Sequence, residues 1–166
     1  MRRVLKSISL ILLSLIMIIP SITVFAAEEE VPECQDITMS DEEIDEFLAP
    51  YMVDNTMSRA SGLITAYGMG IQKSGTSLKI VGKTACASGV TKCGIIDIVI
   101  QRRLRSTDSW TKYTSVEDKY NSSTGCVLTT SITVPSGYQY RITCTHYAKK
   151  ILSTEKITNI SNIVTM

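Results

Sequence analysis

The sequence predicts an all-β domain, an antiparallel sandwich of about seven strands, preceded by a signal peptide and a short acidic helical arm. From residue 63 onward, turn-forming residues recur every 10–15 residues or so, and the segments between them are rich in Ile, Val, Thr and Tyr. Apolar and polar residues alternate within those segments, as in antiparallel sheets with one wet face. A chain of 166 residues has room for one such domain and a tail.

The first 27 residues have the pattern of a signal peptide. Three basic residues precede an apolar run over residues 8–19, and Val24 and Ala26 stand at the −3 and −1 positions of a small-residue cleavage site. The alternative is a signal anchor, because the stretch up to Ala27 is just long enough to span a bilayer. Pro20 and the cleavage motif favour removal, so we expect a secreted, extracellular protein that touches a membrane only through this segment if it is uncleaved.

The remaining chain divides by charge. Residues 28–54 contain eleven acidic residues and no Lys or Arg, whereas residues 55–166 contain 14 Lys and Arg against five acidic residues. We therefore separate an acidic arm, residues 28–58, from a basic domain, residues 59–166.

A short helix is predicted within the arm. Ser40 and Glu43 have the spacing of a capping box, and Met39 and Ile44 that of a hydrophobic staple, which predicts a helix over residues 41–49. Because two turns are marginal alone, either the helix docks on the basic domain or the arm is a solvated spacer.

Seven strands follow in the domain, each an alternating segment bounded by turn residues. In the third strand, Ile96, Ile98 and Ile100 are expected to share the inner face, opposite Asp97, Gln101 and Arg103. The predicted strands span residues 63–72, 78–86, 94–104, 110–117, 126–134, 138–148 and 155–164.

This number of strands favours an immunoglobulin-like or fibronectin-III-like sandwich, with a small barrel as the alternative. Residues 134–142 resemble the corner of fibronectin-type domains, in which a Pro-Gly turn precedes a tyrosine at the start of a strand. We expect a backbone group to satisfy the Tyr140 hydroxyl while the ring fills the core.

The segments 98–103 (Ile-Val-Ile-Gln-Arg-Arg), Trp110 and 137–141 (Gly-Tyr-Gln-Tyr-Arg) carry a wider resemblance. The chain resembles, over residues 59–148, an uncharacterised family of small secreted proteins from Gram-positive bacteria. Because that family has no assigned activity, the resemblance implies a fold and a location but no chemistry.

Five cysteines remain after the signal segment: Cys34, Cys86, Cys93, Cys126 and Cys144. The expected disulfides in an exported chain are Cys86–Cys93, which flank one loop, and Cys126–Cys144, on inward faces of consecutive strands. The alternative is that all are reduced and buried. Carboxylates near Cys34 are expected to disfavour its thiolate, so it is a poor nucleophile that could pair between chains.

The sequence offers little catalytic chemistry. It lacks serine-hydrolase, zinc-protease, P-loop and dinucleotide motifs, and its single His excludes most zinc sites. His146 is expected to be a hydrogen-bonded histidine at the edge of the core; the alternative is a catalytic pair with Cys86 or Cys144. The glycines at 68 and 70 predict a strand bend or the close approach of another backbone. We expect no enzyme, catalytic residue, cofactor or metal.

Basic residues beside an aromatic ring form the candidate binding surface. The candidates are Arg102, Arg103, Arg105, Trp110, Lys112, Arg141, Lys149 and Lys150. Such a surface suits an anionic cell-wall polymer or a surface protein, whereas export argues against nucleic acid. The alternative for Trp110 is a core residue. The alternative function is a cationic effector, toxin-like or bacteriocin-like, that the acidic arm masks until it is removed.

Overall fold

The computed structural model of the chain describes residues 32–55 and 62–166, and the predicted signal peptide lies outside them. One helix and eleven strands are found in this part. In chain order they are β1 (Gln35–Asp36), α1 (Asp41–Leu48), β2 (Met52–Asp54), β3 (Ile64–Ser74), β4 (Ser77–Cys86), β5 (Lys92–Arg103), β6 (Thr111–Val116), β7 (Lys119–Asn121), β8 (Gly125–Thr133), β9 (Gln139–Lys150), β10 (Ser153–Ile160) and β11 (Val164–Thr165).

The strands form two antiparallel sheets. Sheet A has the order β1-β8-β4-β3-β2, and sheet B has the order β10-β9-β5-β6, with β7 also pairing with β5 and β11 with β9. Strands β3, β4 and β8 stand in the order A-B-E of an immunoglobulin-type sandwich, and β5, β9 and β10 in the order C-F-G. Strand β1, which comes first in the chain, pairs with β8 where that fold has strand D. The predicted all-β sandwich is confirmed.

The core lies between the sheets and takes alternate residues from both. Sheet A contributes chiefly Met69, Ile71, Leu78, Ile80 and Ile132, and sheet B contributes Ile95, Ile98, Ile100, Tyr140 and Ile142. All of these side chains are almost fully buried. Burial of this apolar surface is the main force that joins the sheets.

The seven predicted strands correspond to the seven longest ones, with ends that differ by a few residues. The prediction missed β1, β2, β7 and β11, which have only two or three residues each. A strand of two or three residues is too short to show a period-2 pattern, and its position depends on the strand with which it pairs.

The predicted face of Ile96 is wrong. Asp97 adopts φ +52, and the pairing of β5 with β9 shifts register between Ile96 and Val99, which is a β-bulge. The extra residue places Ile95, rather than Ile96, on the core face with Ile98. The alternation of apolar and polar residues in a sequence does not reveal where a β-bulge adds an extra residue.

The predicted tyrosine corner is present. The Tyr140 side chain is fully buried, and its hydroxyl donates a hydrogen bond of 2.9 Å to the carbonyl of Pro135. Burial, more than any neighbouring charge, raises the pKa of this phenol to about 12. The hydroxyl therefore satisfies a backbone acceptor while the ring packs in the core, as the sequence predicted.

The arm docks on sheet A. Ser40 caps α1 as expected: Glu43 N–H donates to Ser40 Oγ at 3.3 Å, and Ser40 N–H donates to Glu43 Oε2 at 2.8 Å. The helix then buries Ile44 and Leu48 against Val81 of β4, on the outer side of the sheet. Strands β1 and β2 extend the two edges of the same sheet, where they pair with β8 and β3. Tertiary packing thus stabilises a helix too short to persist alone.

The two glycines of β3 make room for the arm. A Cβ atom at Gly70 would lie 2.5 Å from the Tyr51 ring and 2.9 Å from the Phe47 ring, and one at Gly68 would lie 3.0 Å from the Tyr51 carbonyl oxygen. The predicted close approach of another backbone is therefore confirmed at Gly68, whereas at Gly70 the approaching atoms are side chains, and in both cases they belong to the arm.

Candidate functional site

The eight candidate binding residues do not form one site. Six of them lie where β5 ends and β6 and β9 begin, whereas Lys149 and Lys150 lie at the far end of β9. Because an antiparallel strand rises about 3.4 Å per residue, Arg141 and Lys149 are about 27 Å apart along β9. The two groups must be considered separately.

Two guanidinium groups contact the ring of Trp110. The Cζ atoms of Arg103 and Arg141 lie 4.3 Å and 4.4 Å from the ring centroid. The Nε of Arg103 donates to Gln139 Oε1 at 2.8 Å, and the Nε of Arg141 donates to Gln101 Oε1 at 2.8 Å. Trp110 is partly exposed and outside the core, so the core alternative for this residue is wrong.

The strand register explains how these residues meet. Gln101 pairs with Arg141 and Arg103 pairs with Gln139 across β5 and β9, so all four side chains lie on one face. This is the outer face, because Tyr140 and Ile142 between and beyond them point into the core. The sequence could not identify the two glutamines as supports for arginines, since that role depends on a pairing about 40 residues apart.

The charges of this cluster are not neutralised by neighbouring acids. Neither Arg103 nor Arg141 forms an ion pair with any carboxylate in the part of the chain that the structure describes; the ion pair found there joins Lys83 and Asp45. Glutamine oxygens and an aromatic face are neutral partners that orient a guanidinium without cancelling its charge. We refer to Arg103, Trp110 and Arg141 as the Trp110 cluster.

Arg102 lies on the other face of its strand. It pairs with Tyr140, and its Cζ atom lies 4.7 Å from the ring of Tyr113 and 4.8 Å from that of Tyr138. Both rings pack against the core. Arg102 therefore closes one end of the core rather than extending the Trp110 cluster.

Lys112 and Arg105 flank the cluster. Lys112 pairs with Gln101 across β5 and β6, and its side chain is exposed. Arg105 lies in the turn between these strands, in which its backbone N–H donates to Asp108 Oδ2 at 2.9 Å. Lys112 adds positive charge to the same face, whereas Arg105 has a carboxylate three residues away.

The second group contains residues that the sequence did not single out. Lys92 pairs with Lys149, and its Nζ lies 3.5 Å from the centroid of the Tyr120 ring. The rings of Tyr120 and Tyr147 meet edge to face at 5.8 Å. A Cβ at Gly94 would lie 2.7 Å from Tyr120, so the glycine provides the space for that ring. Residue 120 falls outside the predicted strands, so the sequence did not predict that its ring lies on this face.

The described part of the arm, residues 32–55, lies away from the Trp110 cluster. Lys83 of β4 forms an ion pair with Asp45, and the Nζ of Lys79 lies 5.4 Å from the Phe47 ring. Both lysines belong to sheet A, whereas the Trp110 cluster belongs to sheet B. Opposite charges thus meet, as the expected docking requires, but on the other sheet.

All five cysteines are free in this structure, and neither of the two expected pairs is at bonding distance. Cys86 and Cys93 are nevertheless adjacent, with their sulfurs 3.3 Å apart. The hydrogen bond between these thiols lowers the pKa of Cys86 and raises that of Cys93. Cys126 lies near Cys86 and Cys93, not near its expected partner Cys144. The Cys126 thiol contacts the Lys119 carbonyl at 3.5 Å, whereas the Cys144 sulfur lies 3.7 Å from His146 Nε2. The register of β8 with β4, which pairs Cys126 with Thr84, causes this difference.

Cys34 lies in the arm among carboxylates, as expected. Burial is the largest cause that raises the pKa of its thiol, and Asp36, Glu117 and Glu33 raise it further. The thiolate is therefore disfavoured at neutral pH, which agrees with the expectation of a poor nucleophile.

His146 is a fully buried, hydrogen-bonded residue. Its Nδ1 lies 2.7 Å from Thr84 Oγ1 and its Nε2 lies 3.3 Å from Asn159 Nδ2. Burial lowers its pKa to about 4 and raises the pKa of Cys144 to about 12. A thiolate–imidazolium pair requires the opposite shifts, so the contact between His146 and Cys144 is that of two neutral groups. The expected hydrogen-bonded histidine is confirmed, though it lies inside the core rather than at its edge.

Residues 32–55 and 62–166 contain no group of three His, Cys, Asp or Glu side chains that could hold a metal ion. Within the same ranges, no helix combines the length and hydropathy needed to cross a bilayer.

Comparison with known proteins adds no relative to this picture. The resemblance to small secreted proteins of Gram-positive bacteria therefore stays a prediction. No family model matches the chain, and neither does any curated protein or solved structure.

Proposed function

We propose that the protein is an exported, non-catalytic binding module whose Trp110 cluster holds anionic polymers of the cell envelope. The observation that carries the proposal is the pair of guanidinium groups, Arg103 and Arg141, stacked on Trp110 without a carboxylate partner among the described residues. A surface of this kind attracts anions, because positive charge without an internal partner gains most from an external one.

The hydrogen bonds of the cluster favour phosphate as the recognised group. The Nε atoms of both arginines are held by Gln139 and Gln101, so each guanidinium plane is oriented before a ligand arrives. A planar guanidinium matches phosphate oxygens with two parallel hydrogen bonds, which a lysine cannot provide. The exposed Lys112 on the same face extends the site along a strand of repeating phosphates.

The position of the arm favours this module over the masked cationic effector. Helix α1 covers the outer face of sheet A, and the Trp110 cluster lies on the outer face of sheet B. Removal of the arm would uncover Val81 rather than the arginines. A deletion of the arm is therefore a poor test of binding, and substitutions within the cluster are a better one.

The binding test is co-sedimentation with a purified poly(glycerol phosphate) wall polymer, at low and high salt. We compare residues 28–166 carrying Arg103→Gln and Arg141→Gln with a control carrying Lys73→Gln and Lys79→Gln, which loses the same charge from sheet A. Loss of charge-assisted hydrogen bonds predicts binding weaker by at least about tenfold in the first variant. High salt should weaken binding of the unchanged chain.

Two results would contradict the proposal. The first is an absence of binding by the unchanged, folded chain at low salt. The second is an equal loss in both double variants, because net charge rather than the cluster would then account for the affinity.

The proposed location predicts the redox state of one cysteine pair. Outside the cytoplasm, we propose that Cys86 and Cys93 form a disulfide, since their sulfurs are 3.3 Å apart and a modest movement would bring them to the bonding distance of about 2.05 Å. The two thiols lose two protons and two electrons, which a disulfide-bearing oxidant such as oxidised glutathione accepts. Mass spectrometry of the exported protein should find its N-terminus near residue 28 and a mass two hydrogens lower, with the cross-link joining peptides of Cys86 and Cys93.

A further inference from the structure

The hairpin between β9 and β10 has an unusual tip. Lys150 pairs with Ser153, so the turn consists of Ile151 and Leu152 alone. Ile151 is 81% exposed and Leu152 is 98% exposed. Two-residue hairpin turns most often contain Asn, Asp or Gly, which tolerate positive φ, but neither Ile151 nor Leu152 has positive φ, so this turn tolerates the two aliphatic residues. The two large aliphatic side chains nevertheless gain no burial within the domain.

A second hairpin of the same chain provides the contrast. Ser74 pairs with Ser77 at the tip of β3 and β4, and the residues between them are Gly75, with φ +61, and Thr76. This is a conventional polar turn with a glycine where the backbone needs one. The same fold therefore accommodates a turn suited to water at one tip, and the apolar residues at the other require a separate explanation.

Positive charge surrounds the apolar tip. Lys149 and Lys150 precede it and are exposed, and the exposed Lys92 pairs with Lys149. The acidic residue nearest along the chain, Glu155, accepts hydrogen bonds from the backbone N–H groups of Leu63 and Ile64 at 2.5 Å and 2.9 Å. Its charge is thus directed at the backbone of β3 rather than at the lysines.

The base of the tip is held in place. The backbone N–H and the hydroxyl of Thr91 both donate to the Lys149 carbonyl, at 2.8 Å and 3.1 Å. The end of the Lys150 side chain lies against Gly89 in the adjacent loop: a Cβ there would be 3.3 Å from Lys150 Cε and Nζ. Hydrogen bonds therefore hold the backbone that carries the lysines, so little backbone order has to be gained on binding.

We propose that this tip is a membrane-contact site: Ile151 and Leu152 enter the interfacial region of a bilayer that contains anionic lipids, and Lys92, Lys149 and Lys150 contact the headgroups. Exposed aliphatic residues next to lysines have the composition of segments that lie in the membrane interface. Anionic headgroups attract nearby lysines by roughly 1 kcal/mol each, which is about a fivefold gain in affinity per lysine. This surface is separate from the Trp110 cluster and does not depend on the N-terminal segment.

The test is partitioning of residues 28–166 onto vesicles of phosphatidylcholine with 30% phosphatidylglycerol. The main variant carries Ile151→Asn and Leu152→Gly, which replaces the apolar tip by a favourable turn and so does not endanger folding. We expect it to bind at least tenfold more weakly. Lys149→Gln with Lys150→Gln should weaken binding about 25-fold at low salt, and Lys73→Gln, at the other hairpin, should leave it within twofold.

A fluorescent variant reports insertion directly. Leu152→Trp should show a blue shift and quenching by brominated acyl chains, whereas the native Trp110, at the opposite end of sheet B, should not be quenched. The Arg103→Gln and Arg141→Gln variant should keep vesicle binding, and the Ile151→Asn and Leu152→Gly variant should keep polymer binding. Failure of either surface is therefore distinguishable from failure of the other.

Three outcomes would overturn the membrane proposal. The first is no partitioning of the unchanged chain onto anionic vesicles at low salt. The second is equal partitioning of the variant that lacks the apolar tip. The third is sedimentation equilibrium that shows a dimer dissociated by Ile151→Asn and Leu152→Gly, with no vesicle binding, since the tip would then contact a second copy of the chain.

Discussion

The two outer faces of the sandwich have different compositions, although both are surfaces of antiparallel strands. The outer face of sheet A has an apolar centre at Val81 and two glycines without side chains, and the arm covers it. The outer face of sheet B carries arginines, lysines and aromatic rings that contact one another, and the arm helix packs on the other sheet.

This difference indicates how one sheet can be a packing surface and the other a binding surface. On sheet A the stabilising contacts are buried and internal, so their loss should reduce stability. On sheet B the cations contact neutral partners and stay exposed, so their loss should reduce affinity more than stability. The following predictions test that division, from the largest expected effect to the smallest.

Leu48→Ala should have the largest effect on stability. Leu48 is fully buried under the arm with Ile44 and Val81, and removal of such a side chain costs about 2–5 kcal/mol. Urea unfolding followed by circular dichroism should show the loss, and limited proteolysis should cut within residues 49–62 more rapidly. Glu46→Ala, on the exposed side of the same helix, should change stability by less than about 0.5 kcal/mol. Similar values for the two variants would mean that the arm does not cover sheet A.

Acid should weaken the contact between the sheets. His146 of β9 forms a hydrogen bond with Thr84 of β4, and burial lowers the pKa of His146 to about 4 from the usual 6.5. Between these values the unfolded chain binds the proton and the folded chain does not, so stability falls as the pH drops below about 6.5 and the loss is complete near pH 4. The loss approaches about 3 kcal/mol.

Thermal unfolding between pH 7 and pH 4 measures this loss, and His146→Gln provides the control. Glutamine stays neutral over the range, so the variant should show a shallower decline. Some decline will remain, because hydrogen bonds from Ser40 lower the pKa of Glu43, and protonation of that carboxylate also opposes the native state. Parallel declines in both proteins would exclude His146 as the main cause.

Trp110→Ala should have a moderate effect. The ring contacts two guanidinium groups, and a cation–π contact at an exposed site contributes about 0.5–1 kcal/mol, so the expected loss is about 1–2 kcal/mol. Calorimetric unfolding would measure it. Leu104→Ala, a nearby residue that is 57% exposed, should cost less than about 0.5 kcal/mol. A loss as large as that of Leu48→Ala would make sheet B a packing surface as well.

Asp45→Asn should have the smallest effect. The carboxylate forms an ion pair with Lys83 at the surface, where the two side chains are 61% and 30% exposed. Such pairs contribute about 0.2–1 kcal/mol and are screened by salt. Denaturation in low salt should reveal the difference from the unchanged protein, and 1 M NaCl should remove it. A difference that persists in high salt would indicate that the pair is not a screened surface contact.

The features that depend on local pattern could be predicted from the sequence. The long strands follow from alternation, the helix start from Ser40 and Glu43, and the tyrosine corner from the Pro-Gly turn before Tyr140. Each of these is determined by residues within about ten positions of one another, where geometry is fixed by the backbone itself.

The features that depend on distant pairing could not be predicted. The bulge at Asp97 changes which isoleucine faces the core, and the register of β8 places Cys126 beside Thr84 rather than beside Cys144. The supports of the Trp110 cluster, Gln101 and Gln139, gain their role only from the pairing of β5 with β9. A sequence indicates which residues can form strands, but the partner of each strand is settled by packing of the whole domain.

The position of the arm has a consequence for the time order of folding. Gln35 of β1 receives a hydrogen bond from Thr130 of β8, a partner 95 residues later in the chain. If the N-terminus crosses a membrane first, the arm emerges long before its binding site on sheet A exists, and contacts of such sequence separation form slowly. The edge of sheet A at β8 then spends an interval unpaired, a state that invites aggregation with other chains. The dense negative charge of residues 28–54 would keep nascent chains apart by repulsion during that interval, so this charge would matter most before folding is complete.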